Sequence, residues 1–186
     1  MKKYFKQKTV AVVGNSMSLF EKDYGSSIDK NDIVIRINRG ILIKDESKQG
    51  KKTDVWAYAT ERVVSDLFSL NLCSNTIHLS KKQRFYKNPN YKKKIYEGHP
   101  CSKYYIPLDV LEKLNQDLTF TIIPSSGLII TYYLSCCDPK EVNLYGFDWK
   151  ETPTWYRNKK DDHDWNTEKN FFLNFLLTKT NINLFS

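Results

Sequence analysis

Pro124-Ser125-Ser126-Gly127, followed by the apolar run from Leu128 to Leu134, is the stretch of sequence that decides the fold. A proline that stops the preceding segment, two serines that can cap and a bare glycine are typical of the first turn of a buried helix. The N–H groups of such a turn bind anions, and Gly127 would let a phosphate approach because it has no Cβ. Taken alone, the motif favours a plain helix start; the rest of the chain favours an anion site.

The composition predicts one domain over residues 1–186. A chain of 186 residues that is 40% hydrophobic and 14% aromatic can bury one sizeable core. It contains no run of 18 apolar residues, and its basic N-terminus lacks the apolar stretch of a signal peptide. We therefore expect a cytoplasmic protein.

The charge of the chain predicts an anionic partner. A net charge of +8 suits nucleic acid, a phosphorylated sugar donor or a membrane surface. The sequence contains no RNA-recognition, helix-turn-helix or zinc-finger motif, so nucleic acid is not expected. Its four cysteines show neither Cys-x-x-Cys spacing nor nearby paired histidines, so we expect free thiols and no zinc site.

Two apolar runs predict neighbouring strands. Lys8 to Gly14 and Ile33 to Gly40 read as strands of a sheet, the first as a central parallel strand buried on both faces. Strands and helices alternate along the remaining chain, which indicates an α/β fold with a mostly parallel, Rossmann-like sheet and helices on both faces. Gly-x-Gly-x-x-Gly and Gly-x-x-x-x-Gly-Lys motifs are absent, which argues against dehydrogenases and ATPases.

Asparagines stand at the ends of both predicted strands. Asn15 and Asn38 each offer two donors and an acceptor, enough to bind a ribose, a phosphate or a sugar carboxylate. Ligands of α/β sheets bind beyond the carboxyl ends of the strands, where these residues lie. Both residues are equally compatible with simple turns.

A basic segment from Lys81 to Lys94 contains seven lysines and arginines interleaved with aromatics. Charge runs of this kind are most often solvated surface loops. The functional alternatives are a lid over an anionic donor or acceptor and a peripheral contact with a membrane surface.

With these residues in hand, the chain resembles the sialyltransferase family that is defined by sialylmotifs. Three segments carry the resemblance in the family's order: Val10 to Asn38 for the large motif, Pro124 to Phe147 for the small motif, and His163-x-x-x-x-Glu168 for the very small motif. Together they span nearly the whole chain, and three motifs in order are specific.

The resemblance implies a CMP-sugar glycosyltransferase of the GT-A variant type that is inverting, independent of metal and without a cofactor. It assigns the CMP to the strand-end residues Asn15, Ser16 and Asn38 and to the helix start formed by Ser125, Ser126 and Gly127. It assigns the general base to His163.

The sequence departs from the family at two motif positions. A motif cysteine of the family is replaced by Val10, which leaves Cys137 without its disulfide partner and fits a reducing compartment. The third motif reads Thr154-Trp155-Tyr156-Arg157 where the family has a histidine or tyrosine and a further aromatic. We therefore expect Tyr156 or Arg157 to supply the phosphate contact. A missing stem and anchor and a short central region suggest a bacterial enzyme.

The residues also fit this chemistry without the family. CMP leaves through a single phosphate, so helix N–H donors can stabilise the departing charge and no metal is expected, although Asp162-His163-Asp164 contains a metal-like spacing. An imidazole suits removal of a proton from an acceptor hydroxyl. The leading hypothesis is transfer of sialic acid from its CMP ester to a glycan or glycolipid. The alternatives are a CMP-Kdo-dependent transferase and a non-catalytic nucleotide- or glycan-binding module.

Overall fold

The computed structural model describes residues 1–59, 65–70, 72–79, 102–118, 124–156, 163–179 and 181–185. Within these ranges the chain forms a seven-stranded sheet. Its strands are β1 (Thr9–Val13), β2 (Ile33–Ile37), β3 (Val55–Tyr58), β4 (Asn75–His78), β5 (Ser102–Tyr105), β6 (Glu141–Tyr145) and β7 (Ile182–Phe185).

Helices connect and cover these strands. The α-helices are α1 (Lys2–Phe5), α2 (Gly25–Asp29), α3 (Glu46–Gln49), α4 (Leu108–Leu118), α5 (Ser126–Ser135) and α6 (Trp165–Phe171). Helix α6 continues into a π-helical turn, Phe172–Leu176, and three 3-10 turns span Met17–Phe20, Asn38–Ile41 and Ser65–Leu70. None of the helices in the described ranges is long and apolar enough to cross a membrane.

The sheet is parallel at every described strand pair, in the order β5-β4-β3-β2-β1-β6-β7. The chain builds outward from β1 to β5 and then returns to place β6 on the other side of β1. The strand order therefore reverses between β1 and β6, and α/β sheets bind ligands at the carboxyl ends of the strands at such a point.

Alternating side chains place a core on each face of the sheet. Val10 and Val12 of β1 pack with the apolar residues of α4, α5 and the π-helical turn. Ala11 and Val13 face the opposite side, where they pack with Ile28 of α2 and with the first 3-10 turn. The predicted α/β fold with a parallel sheet and helices on both faces is confirmed.

Arg36 lies on the second face of β2 and is fully buried. Its guanidinium donates to the carbonyls of Gln49, Gly50 and Lys52 at 2.8–3.2 Å and to Thr53 Oγ1 at 2.9 Å. Burial lowers the pKa of Arg36 to about 10, so the side chain is still a cation at neutral pH. A positive charge thus fixes the loop between α3 and β3 by binding its backbone carbonyls.

Several predicted segments fall outside the described residues. They are the basic segment from Lys81 to Lys94 and the two residues Arg157 and Asp162.

Candidate active site

A cleft of about 730 Å³, including its open mouth, lies at the carboxyl ends of β1, β2 and β6. Loops that follow these three strands form one wall, and the starts of α5 and α6 form the other. All eight residues predicted for the site line this cleft: Asn15, Ser16, Asn38, Ser125, Ser126, Gly127, Tyr156 and His163. The structure therefore brings together residues from five separate parts of the sequence, while the role of each remains a prediction.

Two backbone N–H donors lie at the start of helix α5, where the helix lines the cleft. Ser125 is the N-cap, and its Oγ accepts from the N–H of Leu128 at 3.1 Å. The N–H groups of Ser126 and Gly127 come next, and neither has a hydrogen-bond partner within the described residues. Two backbone donors and the positive end of the helix dipole are thus available to an anion.

Glu168 joins this helix start to helix α6. The carboxylate is 1% exposed, and its Oε1 accepts from the backbone N–H of Ser125 at 2.5 Å. Helix α6 is itself capped by Asp164, whose carboxylate binds the N–H and hydroxyl of Thr167 and has a lowered pKa as a result. Glu168 of the very small motif therefore holds Ser125 of the small motif in place.

The glycine of the helix start lies against an aromatic ring. A Cβ on Gly127 would lie 2.7 Å from Cε1 of Phe147. The missing side chain makes room for this aromatic ring, which also lines the cleft. Gly127 itself lines the cleft, and its role in admitting a phosphate stays a prediction.

The two strand-end asparagines fasten the loops around them. The amide of Asn15 donates to the carbonyl of Ile37 at 3.1 Å and to the hydroxyl of Tyr156 at 3.3 Å. Asn38 has a left-handed φ of +50°; its Oδ1 accepts from Ala59 N–H at 2.9 Å and its amide lies 3.4 Å from Ser126 Oγ. Asn15 thus orients Tyr156, while Asn38 reaches the helix start directly.

Ser16 belongs to a compact hydroxyl network around Asp148. The Oγ of Ser16 donates to Asp148 Oδ2 at 2.5 Å and lies 2.6 Å from Thr152 Oγ1 and 2.8 Å from Ser18 Oγ. Asp148 also accepts from the N–H and hydroxyl of Thr152. Because the hydroxyl of Ser16 is satisfied within the protein, its position supports a structural contribution to the cleft.

Backbone pairing holds the loop that carries Tyr156 against β1. The N–H of Met17 donates to the carbonyl of Pro153 at 2.9 Å, and the N–H of Trp155 donates to the carbonyl of Asn15 at 3.0 Å. Together with the Asp148 network, this pairing fixes residues 148–156 as a wall of the cleft. The altered third motif is therefore built into the site, with Tyr156 facing the cleft.

His163 lies directly before the cap of helix α6 and forms an edge-to-face contact with Trp165 at a centroid distance of 5.1 Å. Four aromatic side chains give this part of the cleft apolar walls: Phe147, Trp149, Trp165 and Phe172. Of these, Phe172 contacts both Phe147 and Trp149. The imidazole thus lines the cleft beside these aromatic side chains.

Sequence reasoning missed two charged residues that line the cleft, Asp148 and Lys150. Both follow the end of a strand, the position used to select Asn15 and Asn38, so the same signal would have found them. The very small motif includes Glu168, but the sequence does not indicate its burial or its bond to Ser125. Within the described ranges, no cluster of three histidine, cysteine, aspartate or glutamate side chains could hold a metal ion.

The motif cysteine without its partner is buried in the core. Cys137 and Val10 belong to the same apolar cluster, and the thiol donates to the carbonyl of Tyr133 at 3.1 Å. Burial raises the pKa of Cys137 to about 11. Val10 and Cys137 thus belong to the apolar core at the position where the resemblance implies a disulfide.

A parallel sheet with a polar and aromatic cleft at its switch point is typical of α/β proteins that bind a ligand there. The sequence model of glycosyltransferase family 29 (sialyltransferase) matches residues 2–180, and the chain belongs to this family.

Curated relatives share different portions of the chain. A CMP-N-acetylneuraminate-β-galactosamide-α-2,3-sialyltransferase 1 of Gallus gallus is 28% identical over 170 residues, covering 82% of this chain and 47% of its own length. A β-1,6-galactosyltransferase of Arabidopsis thaliana is 49% identical over 45 residues, covering 24% of this chain and 11% of its own. The chain spans about half the length of the chicken enzyme.

Solved structures of sialyltransferases share the fold. A mammalian sialyltransferase superposes with a TM-score of 0.71 at 25% identity, covering 96% of this chain and 69% of its own. The sialyltransferase CstII of Campylobacter jejuni, in complex with CMP-3FNeuAc, gives a TM-score of 0.65 at 21% identity, with coverage of 96% and 79%.

Proposed function

We propose that this protein transfers sialic acid, or a related 2-keto sugar acid, from its CMP ester to a hydroxyl of a glycan or glycolipid. The reaction would invert the anomeric centre and require no metal ion. The observation that carries the proposal is the convergence of two unpartnered helix N–H donors, two strand-end asparagines and one histidine in a single cleft of a family 29 chain.

The donor's phosphate is assigned to the start of helix α5. The N–H groups of Ser126 and Gly127 suit a single phosphate, which needs few donors, and the amide of Asn38 lies beside them. When the bond to the sugar breaks, negative charge grows on this phosphate. Backbone donors that are already oriented stabilise such charge without reorganising, which lowers the barrier to departure.

The acceptor's proton is assigned to His163. Positive charge would develop on the oxygen of the attacking hydroxyl, and a neutral imidazole within reach would remove it by taking the proton. His163 and the start of helix α5 line the same cleft, so donor and base would share one space. The aromatic walls exclude water, which otherwise competes with the acceptor for the activated sugar.

A galactosyltransferase is the second candidate, favoured by the name of the Arabidopsis relative. That match covers 24% of this chain. Kdo transfer from CMP-Kdo and a non-catalytic binding module are further alternatives, since a cleft that binds CMP would serve both.

A donor panel tests these candidates. The protein is incubated with CMP-sialic acid, CMP-Kdo or UDP-galactose, with a mixed glycan acceptor and with or without EDTA, and products are identified by mass. We expect glycan-linked sialic acid that is insensitive to EDTA. Product only from UDP-galactose, or only without EDTA, would overturn the proposal. CMP binding without turnover of any donor would support the binding module.

We also propose that the protein works in the cytoplasm, with a peripheral membrane contact through the Lys81 to Lys94 segment. The free thiol of Cys137 and the density of positive charge in that segment support this. Co-sedimentation with vesicles containing phosphatidylglycerol tests the membrane contact, with phosphatidylcholine vesicles as control. Equal binding to both vesicle types would contradict it.

A further inference from the structure

Two consecutive residues of the cleft wall have a strained backbone. Trp149 and Lys150 have φ angles of +50° and +68°, in the left-handed region that favours glycine or asparagine. The turn is held by Asp148, whose Oδ1 accepts from the N–H of Lys150 at 3.1 Å. Backbone strain of this kind persists only where the surrounding structure holds it, and it clusters at functional sites.

Lys150 is the one lysine or arginine among the described residues that line the cleft. The carboxylates of the same lining belong to Asp148 and Glu168, so the described wall carries more negative than positive charge. A CMP-activated sugar acid brings a phosphate and a carboxylate. Without a cation, both groups would enter a partly apolar, net negative cleft at a high cost in desolvation and repulsion.

The ammonium group of Lys150 stands between two parts of the proposed site. Its Nζ donates to the hydroxyl of Thr154 in the third motif and lies 5.9 Å from the ring centroid of Trp165, the residue that contacts His163. An ammonium group is a compact cation with three donors, and its charge attracts an anionic oxygen nearby.

We propose that Lys150 binds an anionic group of the donor. The inference rests on the proposed function, since it takes a CMP-sugar as the ligand. The anionic group is either the phosphate or the carboxylate beside the anomeric carbon; the chemistry of recognition is the same, and a lysine binds either as a point charge.

Calorimetry with three ligands tests the proposal. Cytidine carries neither anion, CMP carries the phosphate, and CMP-3-fluorosialic acid carries both. In Lys150→Met, we expect unchanged affinity for cytidine. A loss of about 10- to 100-fold for CMP identifies the phosphate, and a loss of that order for CMP-3-fluorosialic acid alone identifies the carboxylate, as for a charge-assisted hydrogen bond.

Two further variants separate binding from folding. Lys150→Gly removes the backbone strain, so we expect it to melt no lower than the wild type and yet to lose affinity as Lys150→Met does. Lys169→Met is the matched control, because Lys169 pairs with Glu151 at 2.5 Å and contacts Trp149 without lining the cleft. We expect it to bind all three ligands like the wild type.

Three results would overturn the inference. Unchanged affinity of Lys150→Met and Lys150→Gly for both anionic ligands would exclude a contact with either anion. An equal loss for cytidine would show that the residue only maintains the fold of the cleft. A wild-type protein that binds none of the three ligands would overturn the proposed function itself. This result differs from the first one, in which the wild type binds the ligands and the variants bind them equally well.

Discussion

The carboxylate of Glu168 accepts a hydrogen bond from the backbone N–H of Ser125 at 2.5 Å, across 43 positions of sequence. Ser125 caps the helix that offers its N–H groups to the cleft, and Glu168 belongs to the helix that follows His163. One buried side chain therefore sets the spacing between the proposed phosphate site and the proposed base. Glu168 also lines the cleft, and its bond to Ser125 gives it a positional role there.

Substitution of Glu168 tests this coupling. We expect Glu168→Ala to lower the free energy of unfolding by about 1–3 kcal/mol, because the buried N–H of Ser125 loses its acceptor. Glu168→Gln keeps an acceptor oxygen at the same reach and should lose less. Urea denaturation measures stability, and calorimetry with CMP measures the phosphate site. An equal loss in both variants would show that the negative charge matters more than the hydrogen bond.

Removal of the proposed base should slow the chemistry alone. We expect His163→Ala to reduce turnover by ~10²–10⁴, the usual contribution of general-base catalysis, with CMP affinity and melting temperature nearly unchanged. The wild-type rate should rise with pH through one ionisation near neutrality, because the neutral imidazole is the active form. The variant should lack this rise. Wild-type turnover in His163→Ala would make Tyr156 or Asp162 the next candidate.

The contact between Gly127 and Phe147 gives a prediction about packing. We expect Gly127→Ala to lower the free energy of unfolding by about 1–3 kcal/mol, because its Cβ would lie 2.7 Å from the aromatic ring. The same change in a Phe147→Leu background should cost much less. A double-mutant cycle by thermal denaturation measures the coupling. Equal costs in both backgrounds would mean that the glycine is needed for its backbone instead.

Buried Arg36 should matter more to stability than exposed Arg39. We expect Arg36→Met to lower the free energy of unfolding by about 3 kcal/mol, because carbonyls of the loop before β3 lose their donor. The matched variant Arg39→Met breaks an exposed ion pair with Asp66 and should cost less than about 1 kcal/mol. Similar losses in urea denaturation would contradict the assignment of Arg36 as a loop anchor.

The adjacent cysteines should differ in reactivity. Cys136 is exposed, whereas Cys137 is buried with its pKa raised to about 11. At pH 8 a rise of two units leaves about 100-fold less thiolate. We expect iodoacetamide to label Cys136 first, as read by peptide mass. Burial of Cys137 also predicts that the free energy of unfolding falls between about pH 9 and pH 11, because only the unfolded chain ionises there.

The fold could be predicted because local sequence patterns indicate its strands and helices. Apolar runs such as Val10 to Val13 mark strands covered on both faces, and the capping serines mark the start of α5. The positions of Asn15 and Asn38 then follow from a general rule, since parallel strands end at one edge of the sheet.

The remaining features depend on partners that are distant in sequence. Nothing near Gly127 indicates that Phe147 fills the space beside it, and nothing near Ser16 indicates that its hydroxyl binds Asp148, 132 positions away. Lys150 likewise has an ordinary sequence context, and its left-handed backbone becomes visible only in three dimensions. A local pattern specifies which element forms, whereas pairing across the cleft specifies what each side chain does.

The return of the chain from β5 to β6 has a consequence for biosynthesis. Strands β1 to β5 leave the ribosome first, and each can pair with the preceding one as it emerges, whereas the pairing of Thr9 with Glu141 waits until β6 has been translated. Until then β1 presents open backbone groups along one side, a template for association with other chains. A ribosome that stalls before Glu141 is therefore expected to release an aggregation-prone chain.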